Sequence, residues 1–141
     1  MSYRFIEHTA DVAVEVEAYS LEDLFSISCH AWRDAALQSD DINSTDERKI
    51  FLTALSYEEL LVQLLSELNF FLYTNKWVFN SVKKLRLIEE EESLKLFAEV
   101  LGNPLDENIH HLKEEIKAVT FHQMKIVKKE GNFSTRVVFD I

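Results

Sequence analysis

The sequence has few of the residues that form cross-links and tight loops, and it has no long apolar run. Its 141 residues include one cysteine, two glycines and one proline. A single cysteine excludes an intramolecular disulfide and fits a reduced, cytoplasmic setting. So few glycines and prolines argue against Gly-rich phosphate loops and long flexible linkers. No run approaches the ~20 apolar residues of a membrane span, and the N-terminus lacks the pattern of a signal peptide, so we expect no membrane association.

Positive charge is also scarce. Lysine and arginine number 15 against 25 aspartate and glutamate residues, which gives a formal net charge of -10. A surface with this balance repels phosphate, and a large direct nucleic-acid interface is therefore unfavourable. If the protein serves RNA chemistry, we expect it to reach the RNA through a partner protein.

Apolar residues, by contrast, are plentiful. They make up 47% of the chain and include ten phenylalanines and two tryptophans, enough for a sizeable core. The length fits one domain, and neither an internal repeat nor a change of composition marks a boundary. We therefore expect a single domain over residues 1–141.

Two helices are predicted from their capping signals. Ser20 opens a segment whose apolar residues recur at three- and four-residue steps as far as Ala36. Ser56 and Glu59 have the spacing of a capping box, and the helix that follows should run to about Tyr73.

The remaining segments alternate apolar and polar residues, which is typical of strands with one wet face. The predicted strands are Tyr3–His8, Val12–Ala18, Arg48–Leu55, Lys76–Ile88, Ser93–Leu101, Ile116–Val127 and Phe133–Ile141. The acidic run Glu89–Glu92 is expected at a hairpin tip, and Gly102–Asp106 is expected in a turn. This pattern predicts an α+β fold with a mostly antiparallel sheet and two main helices, and leaves the strand order open.

The last predicted strand closes on two adjacent carboxylates, the side chain of Asp140 and the terminal carboxylate of Ile141. Such neighbours either repel each other or gather around a cation, unless the end of the chain frays. Asp11 falls between the first two strands, where the alternative is a turn aspartate that bonds its own backbone. Antiparallel pairing of the last two strands would bring Asp140 toward Lys117.

The three candidate carboxylates indicate a binding site for a cation that prefers oxygen ligands. Three carboxylates without cysteine or histidine suit Ca²⁺, Mg²⁺ or Mn²⁺ better than Zn²⁺. The sequence has no Walker loop, dinucleotide fingerprint or HExxH motif. Cys29 lies within a predicted helix and is expected to be inert.

Several motifs together point to a family. His8-Thr9-Ala10-Asp11 follows the first strand, Ile116–His122 reads IKAVTFH, and the sequence closes with Val137–Ile141, VVFDI. Gly102–Asp106 fits the same pattern. In this order, and in a chain of this length, these motifs resemble the archease family from the first strand to the last residue.

The resemblance implies an accessory role and not an enzyme. Archeases are cytosolic partners of the RtcB-type RNA ligase, which joins RNA ends in tRNA splicing and RNA repair. The ligase carries a GMP on a histidine and works with Mn²⁺ and GTP, and archease accelerates this guanylylation and supports multiple turnover. This protein would then contact RNA only indirectly, through the ligase. The alternative is a metal-stabilised, chaperone-like binding module that modulates a tRNA-modifying enzyme such as a tRNA methyltransferase.

The resemblance also implies a fold and a metal site. The family fold is an α+β domain built on a strand-helix-strand-strand module with an inserted segment. Carried onto this chain, the family's metal ligands are Asp11, Asp140 and Ile141. The implied cofactor is a divalent cation, Ca²⁺ in vitro and Mg²⁺ or Mn²⁺ in the cell.

Three further residues are candidates for supporting the metal ligands or contacting a partner. Lys117 could orient a phosphate or neutralise the acidic group, and the alternative is an ordinary lysine at a strand edge. His8 and His122 could orient the ligands, and the alternative is a histidine on a strand face or in the core.

Three positions depart from the family pattern. Phe121 stands where the family more often has tyrosine, while Gln63 and Tyr73 stand where it often has tryptophan and aspartate. These differences leave the carboxylates untouched and put the partner surface in doubt.

Overall fold

Two capped helices begin where the sequence predicts them. The computed structural model describes residues 2–7, 11–38, 44–121 and 124–141. Helix α1 covers Leu21–Ala36 and helix α2 covers Tyr57–Tyr73. The hydroxyl of Ser20 accepts a hydrogen bond from a first-turn backbone N–H of α1, and the hydroxyl of Ser56 does the same for α2, each at 3.1 Å. Both serines therefore satisfy donors that the helix itself leaves unpaired.

Ten strands account for most of the remaining described residues. They are β1 (Ser2–Glu7), β2 (Asp11–Ala18), β3 (Leu37–Gln38), β4 (Asp46–Ala54), β5 (Trp77–Glu89), β6 (Leu94–Pro104), β7 (His111–Leu112), β8 (Ala118–Thr120), β9 (Val127–Lys129) and β10 (Asn132–Asp140).

Two of the predicted boundaries are wrong. Strand β6 continues through Gly102 to Pro104, where the sequence indicates a turn, because these residues still pair with the start of β5. The long strand predicted over Ile116–Val127 is instead interrupted between β8 and β9. The Met124 N–H donates to the Phe121 carbonyl at 3.2 Å, and the buried Met124 side chain joins the core.

The strands form two larger sheets and one small one, and every pairing among the described residues is antiparallel. The first sheet has the order β1-β2-β10-β8, with β9 also paired to β10. The second sheet has the order β4-β6-β5, and β3 pairs with β7. The expected α+β class, with two main helices and mostly antiparallel sheets, is confirmed.

Both helices pack against both of the larger sheets. One core cluster joins Trp32 of α1 and Leu64 of α2 to Phe139 of the first sheet and Phe79 of the second. Each sheet therefore has an inner face on the helices and an outer face turned away from them. In the described part of the chain, neither helix is long and apolar enough to cross a membrane.

Candidate functional site at the end of the first sheet

The two aspartates singled out in the sequence lie opposite each other on neighbouring strands. Strand β2 begins at Asp11, strand β10 ends at Asp140, and the register pairs these two residues directly. Directly opposed residues have their Cβ atoms about 4.5–5.5 Å apart and on the same face of a sheet. The fold thus brings together two carboxylates that are far apart in sequence, on the outer face of the first sheet.

The residues next to Asp140 hold its position. Ile141 follows β10, and its partly buried side chain packs against the core. The Lys117 N–H donates to the Asp140 carbonyl at 2.7 Å, and Ala118 pairs with Asp140 in the register. The predicted approach of Asp140 to Lys117 is therefore confirmed, although the lysine precedes a much shorter strand than expected.

Helix α2 fixes the segment that leads into Lys117. Asn69 donates to the Ile116 carbonyl at 2.8 Å, and Trp32 of α1 donates to the Asn69 side-chain oxygen at 3.0 Å. The Tyr73 hydroxyl donates to the Glu114 carbonyl at 3.0 Å and accepts from the Ile116 N–H at 2.9 Å. Three hydrogen bonds therefore tie α2 to the backbone just before the site, and a fourth joins α1 to Asn69.

A groove of about 540 Å³ runs between α2 and this segment. Ser66 and Phe70 line its helical wall, and Lys117 lines the opposite wall with an exposed side chain. Tyr73 also lines the groove, and burial raises the pKa of its phenol. The phenol therefore stays protonated at neutral pH and keeps both of its backbone hydrogen bonds.

The donor set fits a hard cation. One carboxylate oxygen of Asp11 is buried, and a second carboxylate lies directly across the strand pair. Like charges in directly opposed positions destabilise a sheet, and a divalent cation between them would remove that cost. Over the described ranges, no three side chains of His, Cys, Asp or Glu converge. A third acidic ligand would therefore be the main-chain carboxylate of Ile141, and metal binding stays a prediction.

The other candidates fall into different places. His8 and His122 lie outside the described residues. Gln63 donates to the Thr53 carbonyl at 3.3 Å, beside the second sheet. Phe121 has 51% of its side chain exposed just after β8. Cys29 is fully buried, and burial raises the pKa of its thiol, so it stays protonated and out of contact with solvent.

A larger groove, of about 680 Å³, lies farther along the first sheet. Glu15 stands between Arg4 and Arg136 there, with nitrogen-oxygen distances of 2.6 and 3.1 Å. Hydrogen bonds from the two arginines lower the pKa of the Glu15 carboxyl. The two guanidinium groups share one exposed carboxylate, so the charges of this groove are paired with each other.

Sequence reasoning missed the residues that position the site, except that it named Tyr73 as a departure from the family pattern and gave it no positioning role. Asn69, Tyr73 and Trp32 act over sequence separations of 37 to 47 residues, and no local motif reports them. An asparagine and a tyrosine beside the wide apolar face of α2 were the signal available, since buried polar groups need partners.

Comparisons with known proteins all give the same family. The model of the Archease protein family matches residues 3–141. A protein archease of Methanosarcina mazei is 30% identical over 139 residues, which are 99% of this chain and 95% of that protein. The solution structure of protein 1598 of Methanobacterium thermoautotrophicum has a TM-score of 0.81 and 26% identity, and the match covers 99% of this chain and 98% of that one.

A second solved structure shows the same fold. The crystal structure of an archease from Thermotoga maritima, described as a possible chaperone, has a TM-score of 0.63 and 23% identity. The match covers 96% of this chain and 94% of that one.

Proposed function

The chain belongs to the archease family, and from this premise we propose that it activates an RtcB-type RNA ligase and is not itself catalytic. The activation consists of faster GTP- and metal-dependent guanylylation of the ligase and of support for multiple turnover. The ligase then joins RNA ends in tRNA splicing or RNA repair. Both proteins act in the cytoplasm.

The pairing of Asp11 with Asp140 across β2 and β10 carries this proposal. Two carboxylates in directly opposed positions repel each other, and a cation held between them would offset that repulsion. Ile141 follows Asp140 and would add its main-chain carboxylate to the site. The hydrogen bond from the Lys117 N–H to the Asp140 carbonyl holds Lys117 next to these residues.

Asp11, Asp140 and the main-chain carboxylate of Ile141 are the proposed cation ligands. When bound, a divalent cation would supply positive charge for the phosphates of GTP as the GMP is transferred. Lys117 would orient one of those phosphates, since its side chain is exposed and lines the groove next to the site. The acidic end of the first sheet is thus the part of the surface that docks on the ligase.

The test is ligase guanylylation with catalytic amounts of this protein. We expect Asp140→Asn to lower the stimulated rate at least about tenfold, because it removes one cation ligand without changing side-chain shape. Glu17→Gln is the matched control, since it makes the same charge change on the outer face of β2, six residues beyond Asp11. Circular dichroism would confirm that both variants fold.

Equal stimulation by wild type and Asp140→Asn would remove the aspartate pair from the mechanism. No stimulation by the wild type, with a ligase that is itself active, would contradict the proposed function.

The second candidate is a chaperone-like binding module for a tRNA-modifying enzyme such as a tRNA methyltransferase. A cation bound by Asp11 and Asp140 would then join β2 to β10 and would affect only the stability of the folded protein. Chelation separates the two functions. The binding module predicts a lower melting temperature without loss of activation in protein that is still folded, whereas the ligase activator predicts loss of activation below the melting temperature.

A further inference from the structure

The outer face of the second sheet carries a pair of neighbouring aromatic rings, Phe51 exposed and Phe97 partly buried. Phe51 of β4 lies directly opposite Phe97 of β6, and their ring centroids are 4.8 Å apart at an interplanar angle of 39°. Phe51 keeps 73% of its side chain exposed, while its neighbours Ile50 and Leu52 turn toward the core. The core of this protein does not account for these rings.

Basic side chains surround the rings. Arg86 of β5 is opposite Phe97, and the adjoining row places Lys49, Glu99 and Lys84 side by side across the three strands. On the other side of the rings, Lys95 adjoins them in the same way.

The charge balance of this face is opposite to that of the whole chain. Across the four paired rows from Glu47 to Thr53, the outer face carries four basic residues and two acidic ones. The chain as a whole has ten more acidic than basic residues. The -10 net charge therefore hides a small basic area with an aromatic centre.

Three of the four cations are available for a ligand. Among the residues that the structure describes, Lys49, Lys84 and Arg86 form no ion pair, and all three are exposed. Lys95 instead pairs with Glu90 at 3.2 Å, next to the acidic run at the hairpin tip. The available charge thus lies on the rings' own row and on the side away from that tip.

We propose that this face binds a short stretch of single-stranded RNA. Unstacked bases would lie on the rings of Phe51 and Phe97, and the phosphates would contact Lys49, Lys84 and Arg86. Exposed rings on a sheet stack bases from any sequence, and basic side chains beside them neutralise the backbone. The acidic surroundings confine the site to a few nucleotides, so the argument against a large nucleic-acid interface still holds. The proposed direct contact does, however, depart from the expectation that RNA is reached only through the ligase.

The choice of a single strand rests on the rings, because bases in a duplex are already stacked on each other. The choice of RNA over DNA rests on the proposed ligase function. Since GMP transfer from GTP to the ligase consumes no RNA, RNA binding and guanylylation can fail independently of each other.

The test is fluorescence anisotropy with a labelled single-stranded RNA of about ten nucleotides at low salt. We expect Phe51→Ala to weaken binding about 5- to 150-fold, the range expected for loss of one stacking platform. Phe51 is mostly exposed, so this variant should fold. Tyr19→Ala is the matched control, because Tyr19 is an aromatic residue between β2 and α1 with 68% of its side chain exposed, and it should leave the affinity unchanged.

A second variant tests the phosphate contacts. Lys84→Gln should reduce the slope of log affinity against log salt by about 0.7, the value for one phosphate contact on a single strand. An unchanged slope would contradict the assignment of Lys84.

Four other results would overturn the proposal. They are failure of the wild type to bind single-stranded RNA, equal weakening by Tyr19→Ala, equally tight binding of duplex RNA, and tighter binding of single-stranded DNA. If Phe51→Ala lowers ligase guanylylation and leaves RNA affinity unchanged, the face is a protein interface and the proposal is wrong. Retained guanylylation with reduced RNA affinity supports it.

Discussion

The two larger sheets pack on the same pair of helices and present opposite chemistry on their outer faces. The first sheet ends in the opposed carboxylates of Asp11 and Asp140, and its two arginines share Glu15. The second sheet presents two neighbouring aromatic rings beside Lys49, Lys84 and Arg86, exposed cations that form no ion pair in the described part of the chain. The difference shows that a net charge of -10 describes neither face, because charge acts over about a Debye length and not over a whole molecule.

The two faces also depend on different kinds of structure. The aspartate pair needs β10 in the correct register and the segment before Lys117 held by Asn69 and Tyr73. The face of the second sheet depends mainly on alternation along β4 and β6, which puts every second residue outside. A change within one sheet should therefore leave the chemistry of the other in place, and the following predictions test that independence in order of decreasing effect.

The largest effect should come from Gly102→Ala in β6. A Cβ at this position would collide with the Val78 carbonyl oxygen and lie 2.6 Å from the Trp77 ring, so β5 and β6 would have to separate. We expect a loss of at least about 3 kcal/mol in the free energy of unfolding, measured in urea. Hydrogen exchange should show lost protection in β5 and β6 before β2 and β10.

Gly131→Asn is the control for that substitution. Gly131 has a φ of +81° in the hairpin between β9 and β10, and a Cβ there has no atom within 4 Å. Asparagine tolerates this backbone region, so we expect a loss below about 1 kcal/mol. Comparable losses for both variants would show that packing at Gly102 is not the cause.

A divalent cation should act on the first sheet alone. If Asp11 and Asp140 hold it, a cation at about 100 times its dissociation constant stabilises the folded protein by about 2.7 kcal/mol. Thermal unfolding with and without chelator should show this shift in wild type and in Glu17→Gln. Asp140→Asn should lose it, and the same shift in that variant would place the cation elsewhere.

The features predicted best from the sequence are those that a few neighbouring residues determine. Ser20 and Ser56 cap their helices as expected, since a capping signal spans only four residues. Asp11 and Asp140 were identified from motifs at the two ends of the chain, but only the register of β2 against β10 places them in one row.

The features that the sequence did not reveal depend on pairing between distant residues. The continuation of β6 through Gly102 looked like a turn, because Gly-Asn-Pro favours turns unless a neighbouring strand is available. The ring pair on the second sheet was overlooked because Phe51 and Phe97 are 46 positions apart in sequence and become neighbours only through the register. A net charge computed for the whole chain concealed the lysines beside them.

Mild acid should loosen α1 from the second sheet. His30 of α1 lies against the Phe79 ring of β5, with ring centroids 5.7 Å apart, and burial, with a smaller contribution from Arg33, lowers its pKa below the usual 6.5. The unfolded chain therefore takes up the proton first, and stability falls as the pH drops below about 6.5. The melting temperature should decrease by pH ~5.5, and His30→Gln should decrease less.

The control for this acid effect is His111→Gln, because His111 is exposed on β7. It should follow wild type at every pH. If the melting temperatures of wild type and His30→Gln fall equally in acid, carboxylates and not His30 cause the loss of stability at low pH.

The smallest expected effect is a loss of stability at alkaline pH, where the contact between α1 and the first sheet weakens. Tyr3 of β1 donates a hydrogen bond to Asp34 of α1. Burial and this hydrogen bond raise the pKa of Tyr3 from 10.0 to about 12. The folded state therefore holds the neutral phenol, so the contribution is present below pH 10.0 and is lost as the pH rises toward about 12.

Wild type should lose more stability than Tyr3→Phe over this interval, by a small margin because Tyr3 is partly exposed. Tyr19→Phe, at a tyrosine with 68% of its side chain exposed, should behave as wild type. Hydrogen exchange should report the loss in β1 and β2 first, whereas acid acts through β5. If alkali and acid instead release the same strands, α1 couples the two sheets, and their faces are not independent.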